Sequence, residues 1–283
     1  MGQGCRIILR TYGKLNLCLD VISKREDGYH EIDSLFQNVS IYDDMEIIFS
    51  DGNGKILIES NFKIKDNIVK KIWDKVNCNT KDVYVKILKH IPMGSGLGGG
   101  SSNAAGFILA LEKAGIISKN DIVPLALSVG SDVLFFMYGG TAIVKGRGDV
   151  VMPVEPLNGC SVELFFPGFS ISTKEAYSKL DPEWFGKAPM SSQELYECYK
   201  ELLKKKEWTK VEQKDLAKIK VGTYNIFEKI MPDEVTVKIE KLRNKYPAAL
   251  TGSGSTYFSI VPYGAFHFVD KGVEIYAFEK IIG

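Results

Sequence analysis

Between Pro92 and Ser102 the chain reads Pro-Met-Gly-Ser-Gly-Leu-Gly-Gly-Gly-Ser-Ser. Glycines at this density remove side chains where a backbone has to wrap an oxyanion. The helix that should follow offers unpaired N–H groups and the positive end of its dipole. The chemistry this suits is phosphate binding. Gly94-x-Gly96-x-x-Gly99 also fits the dinucleotide fingerprint, but that reading needs an opening βαβ unit and an acid ending a second strand. Here the corresponding region is a helix end and Lys119-Asn-Asp121. No Gly-Lys-Ser/Thr occurs in the loop, so the Walker pattern fails as well. A ligand-free turn is the plain alternative, and it gives no reason for so many residues of high chain entropy.

Four other groups could do chemistry. Lys14 interrupts an apolar alternation, Tyr12-Gly-Lys-Leu-Asn-Leu17, and strict period two puts Tyr12, Asn16 and Cys18 on its face with Leu15, Leu17 and Leu19 opposite. Asp132 precedes Val133-Leu-Phe-Phe136, where a carboxylate is either paired, functional or a helix cap. Asp27-Gly-Tyr-His30 delivers a ring that can stack on a base and an imidazole that can read its edge. Thr251-Gly-Ser-Gly-Ser-Thr256 is either a second anion nest or a flexible turn. Arg147-Gly-Asp149 spells an adhesion tripeptide and reads as coincidence.

The elements that must hold these groups follow from periodicity. Strand-like alternation fills the first 60 residues, Asp66 or Asn67 caps a helix carrying Ile68, Ile72 and Trp73, and Val83, Val85 and Ile87 form a strand leading to the loop. Helices are expected over Asn103 to Ala114, Ile122 to Val129, Lys174 to Leu180, Ser192 to Lys220 and Asp233 to Lys245. Strands are expected over Thr141 to Val144 and Val162 to Phe166. Pro153, Pro156 and Asn158-Gly159 mark a boundary between domains 1–155 and 156–283. The Lys/Glu-rich run after Ser192 reads as a solvated face.

Composition narrows the class. The 283 residues are 45% hydrophobic and 25% charged, with 36 Lys+Arg against 35 Asp+Glu, so the chain is globular and lacks the basic excess of a nucleic-acid binder. Five cysteines stand singly, without metal-site spacing, which suits a reducing cytoplasm. Neither a signal core nor an apolar run near the ~20 residues of a membrane span is present.

Taken in order, Lys14-Leu-Asn-Leu17, the Pro92–Ser102 loop with Asn103-Ala-Ala105, and Thr251–Thr256 resemble the three motifs of the GHMP small-molecule kinases. Lys24-Arg-Glu-Asp-Gly-Tyr-His30, Leu35-Phe-Gln37, Ser131-Asp-Val133 and Gly139-Gly-Thr-Ala142 are most similar to the branch acting on cytidine diphosphate-linked methylerythritol in non-mevalonate isoprenoid synthesis. The resemblance implies an α+β, two-domain fold, with an N-terminal ribosomal-protein-S5-domain-2-like half, a ferredoxin-like C-terminal half and the active site in the cleft between them.

It also implies roles. Asp132 would be the base beside the acceptor hydroxyl, with Lys14 orienting it. Tyr29 and His30 would hold cytosine, Tyr177 would close on it from the far domain, and Asn16 would meet the erythritol end. Gly252 and Ser253 would complete the acceptor side. Pro92, Gly94, Ser95, Gly96, Leu97, Gly98, Gly99, Gly100, Ser101 and Ser102 would wrap the ATP phosphates, with Lys89 nearby and Asn67 and Asn103 near the nucleoside. ATP and Mg²⁺ are implied, with no metal ligand singled out. The enzyme would act on a small molecule as a monomer or weak homodimer, with no nucleic-acid or membrane partner.

Three departures stand out. Leu134 replaces a family proline, Gly13 replaces an alanine, and Pro262 to Val269 looks strand-like where the family adds a helix. Three alternatives stay open: a homoserine or mevalonate type of the same family, a non-catalytic nucleotide-binding homologue, and a nicotinamide dehydrogenase.

Overall fold

Alternation in the first 60 residues becomes two long antiparallel strands, β1 (Gln3–Lys24) and β2 (His30–Asp51), followed by β3 (Ile56–Ser60). These belong to a computed structural model that describes residues 3–63 and 66–282; the first two residues, read above as carrying no targeting signal, lie outside it. Asn67 caps α1 (Ile68–Val76), accepting from the Val69 amide at 2.9 Å, and β4 (Lys81–Leu88) leads to the glycine-rich loop. Beyond the loop run α2 (Gly99–Lys113), α3 (Lys119–Val129) and α4 (Val133–Tyr138). β5 (Thr141–Gly146) and β6 (Val150–Val154) close the first half. The second half carries β7 (Ser161–Phe165), α5 (Thr173–Ser178), α6 (Ser192–Lys205), α7 (Ala217–Gly222), α8 (Asp233–Arg243), β8 (Ala248–Leu250), β9 (Tyr257–Val261), β10 (Phe266–His267) and β11 (Val273–Ile282).

Two sheets result. The larger has seven strands in the order β11-β1-β2-β4-β3, with β5 on β2 and β6 on β5; the smaller runs β10-β7-β9-β8. Leu9, Met45, Phe49 and Val85 pack with Trp73, Phe107 and Phe135 from the helices in one core. Leu15, Leu17, Leu164, Tyr199 and Phe258 build a second. Of the segment Pro262 to Val269, expected to be strand-like, only β10 (Phe266–His267) is a strand, and β11 beyond it does not stay with the second half: it pairs with β1 from Gln3↔Ile282 to Thr11↔Val273.

The period-two reading of the Lys14 strand needs correction. The β1–β2 register shifts between Tyr12 and Gly13 and again between Asn16 and Cys18. Each bulge turns the following side chains to the other face. Leu9, then Lys14 and Asn16, then Leu19 and Val21 therefore share the face that looks toward the first core and the cleft, while Leu15, Leu17 and Cys18 enter the second core. Tyr12 and Cys18 do not share the Lys14 face; Tyr12 instead donates to Glu274 on β11 at 2.8 Å.

Helix limits differ where the cue was apolar spacing alone. α2 begins at Gly99, four residues before the Ala/Leu-rich run, because Gly98 turns the chain with φ 73° and the last loop glycines are already helical. The run after Asp132 is the short helix α4. The charged stretch from Ser192 breaks at Lys206, whose extended φ of −144° ends α6, and resumes in α7. Its polar side is solvated, while Leu195, Tyr196, Tyr199 and Leu202 are buried.

Candidate active site

The bulges of β1, the turn before β2, the glycine loop and the α3–α4 junction converge on one cleft of about 900 Å³ between the two halves. On the loop side it is lined by Pro92, Gly94, Ser95, Gly96, Gly98, Gly99, Gly100 and Ser101. The first turn of α2 has no side-chain cap and no acidic residue, so its amides stay available to an anion. Gly96 is required sterically: at φ 80° an added Cβ would lie 2.2 Å from the Thr251 carbonyl oxygen. Two of the expected loop residues turn inward. Leu97 is fully buried with its carbonyl accepting from the Lys14 amide at 2.9 Å, and Ser102 donates inward to the Tyr12 carbonyl at 2.6 Å. Helical geometry past Gly98 turns Ser102 toward the sheet.

Thr251–Thr256 is a turn with several of its amides already paired. The Thr251 amide donates to the Thr256 carbonyl at 2.9 Å, Gly254 to Thr251 at 3.1 Å, and Gly252 to Asn16 Oδ1 at 2.8 Å. With those amides paired, the segment braces Asn16 and the glycine loop. Gly252 and Ser253 still line the cleft.

At the centre Lys14 is buried, its ammonium donating to Asn16 Oδ1 at 2.5 Å and lying 3.9 Å from Asp132 Oδ2. The Asn16 amide donates to Ser34 at 2.9 Å, which fixes which end of Asn16 meets the lysine. Desolvation pulls the Lys14 ammonium below its ordinary pKa, and the Asp132 charge pulls the other way. Asp132 occupies the N-cap position of α4 but makes no cap hydrogen bond, so its carboxylate is left to face Lys14 and the cleft.

At one end of the cleft stand aromatic groups. His30 stacks on Tyr177 with centroids 4.8 Å apart and meets the Phe185 edge at 5.8 Å; Phe227 meets Tyr177 at 4.9 Å. Tyr29 is 53% exposed and its ring carries the Arg147 guanidinium 5.2 Å away. Tyr177 thus lies against His30. Burial, with Lys24 nearby, lowers the His30 pKa from its usual 6.5, favouring the neutral imidazole, and burial raises that of the Tyr177 phenol.

At the other end Asn67, Lys89 and Asn103 line the cleft. Lys89 forms a buried ion pair with Asp43 and donates to Asn103 Oδ1 at 3.0 Å, while Asn103 Nδ2 donates to Asp43 at 3.0 Å and to Thr11 at 2.7 Å. Asp43 also accepts from the His90 and Ile91 amides at 2.8 and 2.9 Å, fixing where β4 leaves for the loop. Sequence reasoning missed Asp43, Phe185 and Phe227, none of which has a local spacing that signals its partners. Among the described residues no cluster of three His, Cys, Asp or Glu could hold a metal, and no helix is long and apolar enough to cross a membrane.

The chain is similar to known proteins over nearly its whole length. Residues 67–140 match the family GHMP kinases N terminal domain. The chain is 60% identical, over 99% of its length and 100% of the relative's, to a 4-diphosphocytidyl-2-C-methyl-D-erythritol kinase of Fervidobacterium nodosum. It is 42% identical to the protein of that name from Thermotoga maritima, with 93% of each chain covered. A crystal structure of 4-(cytidine 5'-diphospho)-2C-methyl-D-erythritol kinase superposes with a TM-score of 0.69 at 27% identity, covering 89% of both chains. A homoserine kinase from Cytophaga hutchinsonii, at 14% identity and a TM-score of 0.63 over 96% of this chain and 97% of its own, shares the fold.

Proposed function

The chain belongs to the GHMP kinases, among the 4-diphosphocytidyl-2-C-methyl-D-erythritol kinases, and from that premise we propose how its cleft works. It is an ATP-dependent small-molecule kinase, and the acceptor is 4-diphosphocytidyl-2-C-methyl-D-erythritol, phosphorylated on its C2 hydroxyl to give the 2-phosphate and ADP. The observation that carries the reading is the Lys14–Asp132 approach of 3.9 Å in a cleft that has the glycine loop at one end and the Tyr29-His30 turn at the other.

The nucleotide lies on the loop from Pro92 to Ser101, with its phosphates on the first amides of α2. Phosphoryl transfer asks mainly for positioning and charge stabilisation. Asp132 takes the hydroxyl proton as the acceptor oxygen bonds to the γ-phosphorus and the bond to the ADP oxygen breaks. Lys14 aligns the carboxylate, and Asn16 fixes Lys14. At the far end, neutral His30 offers one donor and one acceptor to the cytosine edge, with Tyr29, Tyr177 and Phe185 around the base.

Asp132 is the one carboxylate among the described residues lining the cleft, which suits Mg²⁺ held mostly by nucleotide oxygens rather than in a protein cage. When bound, Mg²⁺ supplies charge neutralisation on the phosphates. The enzyme works in the cytoplasm on small molecules, as a monomer or weak homodimer and without nucleic-acid or membrane partners; five free cysteines suit that compartment.

ADP release with Mg-ATP is the test. Turnover with the cytidine-linked acceptor and none with homoserine or mevalonate is expected. Preference for either of the latter would overturn the substrate assignment.

A further inference from the structure

The turn Gly146–Asp149 between β5 and β6 carries the Arg-Gly-Asp tripeptide that sequence reasoning set aside, and the fold puts it in the cleft. The Gly146 amide donates to Glu31 at 3.0 Å, tying this turn to the segment just after Tyr29 and His30. Two residues on, Gly148 abuts the other end of the acceptor site: a Cβ added there would lie 3.7 Å from Asp132 Oδ1. Arg147 therefore stands between the group assigned to the base and the group assigned to the reacting hydroxyl. Its Nε is held by Asp149 at 2.9 Å and its guanidinium lies 5.2 Å from the centroid of the Tyr29 ring. Among the described residues neither terminal nitrogen makes a hydrogen bond, although Arg147 lines the cleft.

A cytidine diphosphate-linked alcohol has its diphosphate between its base and its hydroxyl. A guanidinium presents a planar fork of donors matched to phosphate oxygens and remains charged at any working pH. Lys24 and Lys174 also line the cleft, but neither is tied to both ends of it. We infer that Arg147 recognises the diphosphate of the acceptor, bridging the cytosine end and the transfer centre. The inference rests on the functional reading above and adds to it a specificity-determining residue for the acceptor.

Calorimetric titration with CDP and with cytidine separates the two claims. The unsubstituted protein is expected to bind CDP more tightly than cytidine. Arg147→Met should weaken CDP about 10-fold or more, the scale of a lost charge-assisted hydrogen bond, and change cytidine by less than about 2-fold. Arg147→Lys, which keeps the charge but not the fork, should fall between. The KM for ATP should stay constant in both variants. An unchanged CDP-to-cytidine preference in Arg147→Met, or equal losses for both ligands, would overturn the assignment of Arg147 alone. Binding of neither ligand by the unsubstituted protein would overturn the functional reading and this inference together.

Discussion

Lys14→Met should make the protein more stable while abolishing phosphoryl transfer. The lysine head is 3% exposed, and among the described residues its nearest carboxylate is 3.9 Å away and its one hydrogen-bond acceptor is the neutral Asn16. That arrangement compensates poorly for desolvating an ammonium. Removing it strands little. Asp132 keeps 31% exposure and stays hydrated, and Asn16 Oδ1 keeps the Gly252 amide at 2.8 Å. Methionine fills a similar volume beside Phe36, whose ring lies 4.8 Å from the ammonium.

Replacing a buried ion pair by apolar side chains is neutral to about 4 kcal/mol stabilising, which sets a ceiling for removing this ammonium alone, and about 2–4 °C of Tm accompany each kcal/mol in a protein of this size. A Tm rise of a few degrees at pH 7 is expected by differential scanning calorimetry. The gap has a pH signature. Because the folded-state pKa of Lys14 is lowered from 10.5, the folded protein binds fewer protons than the unfolded chain as pH approaches that value, and its stability rises there. The advantage of the variant therefore shrinks as pH is raised toward 10.5. A variant that melts below the unsubstituted protein, or a gap that widens with pH, would refute the view that Lys14 is kept for chemistry against its cost to folding.

Other substitutions separate binding from folding. Gly100→Ala has open space around its Cβ and a helical position, so it should stabilise the fold by about 0.5–1 kcal/mol in thermal melts yet raise the KM for ATP, because the methyl group stands where phosphate must approach; an unchanged KM would count against the phosphate cradle. Acceptor affinity measured by titration should be flat at neutral pH and fall only below pH 6.5, since the His30 pKa is lowered from that value and the neutral ring is the one that reads the base; His30→Gln should remove the pH dependence. Leu134→Pro should fold and turn over within a few-fold of the unsubstituted protein, because the second residue of α4 lies in the first turn, where amides have no intrahelical partner; loss of folding would show that the Leu134 side chain matters more than the backbone.

Much of this was legible in the sequence where the signal is local. The glycine loop, the Asn67 cap and the Gly-Tyr-His turn each announce themselves within a few residues, and the structure places each on the cleft. What escaped depends on pairing across the chain. Bulges in β1 are set by its register against β2, so period two misassigned Tyr12, Cys18 and Leu19. Asp43 gains its meaning from Lys89, Asn103 and two amides 47 and 48 residues away. β11 reads as an ordinary C-terminal strand until its register with β1 is seen. Arg147 looked incidental because only the fold brings Tyr29 under its guanidinium.

The most direct test of the central claim is the rate of ADP release from Mg-ATP with 4-diphosphocytidyl-2-C-methyl-D-erythritol, compared between the unsubstituted enzyme and Asp132→Asn. The account predicts turnover that falls by about 10²-fold or more in the variant, while CDP binding is retained. An Asp132→Asn enzyme that matches the unsubstituted rate would contradict it.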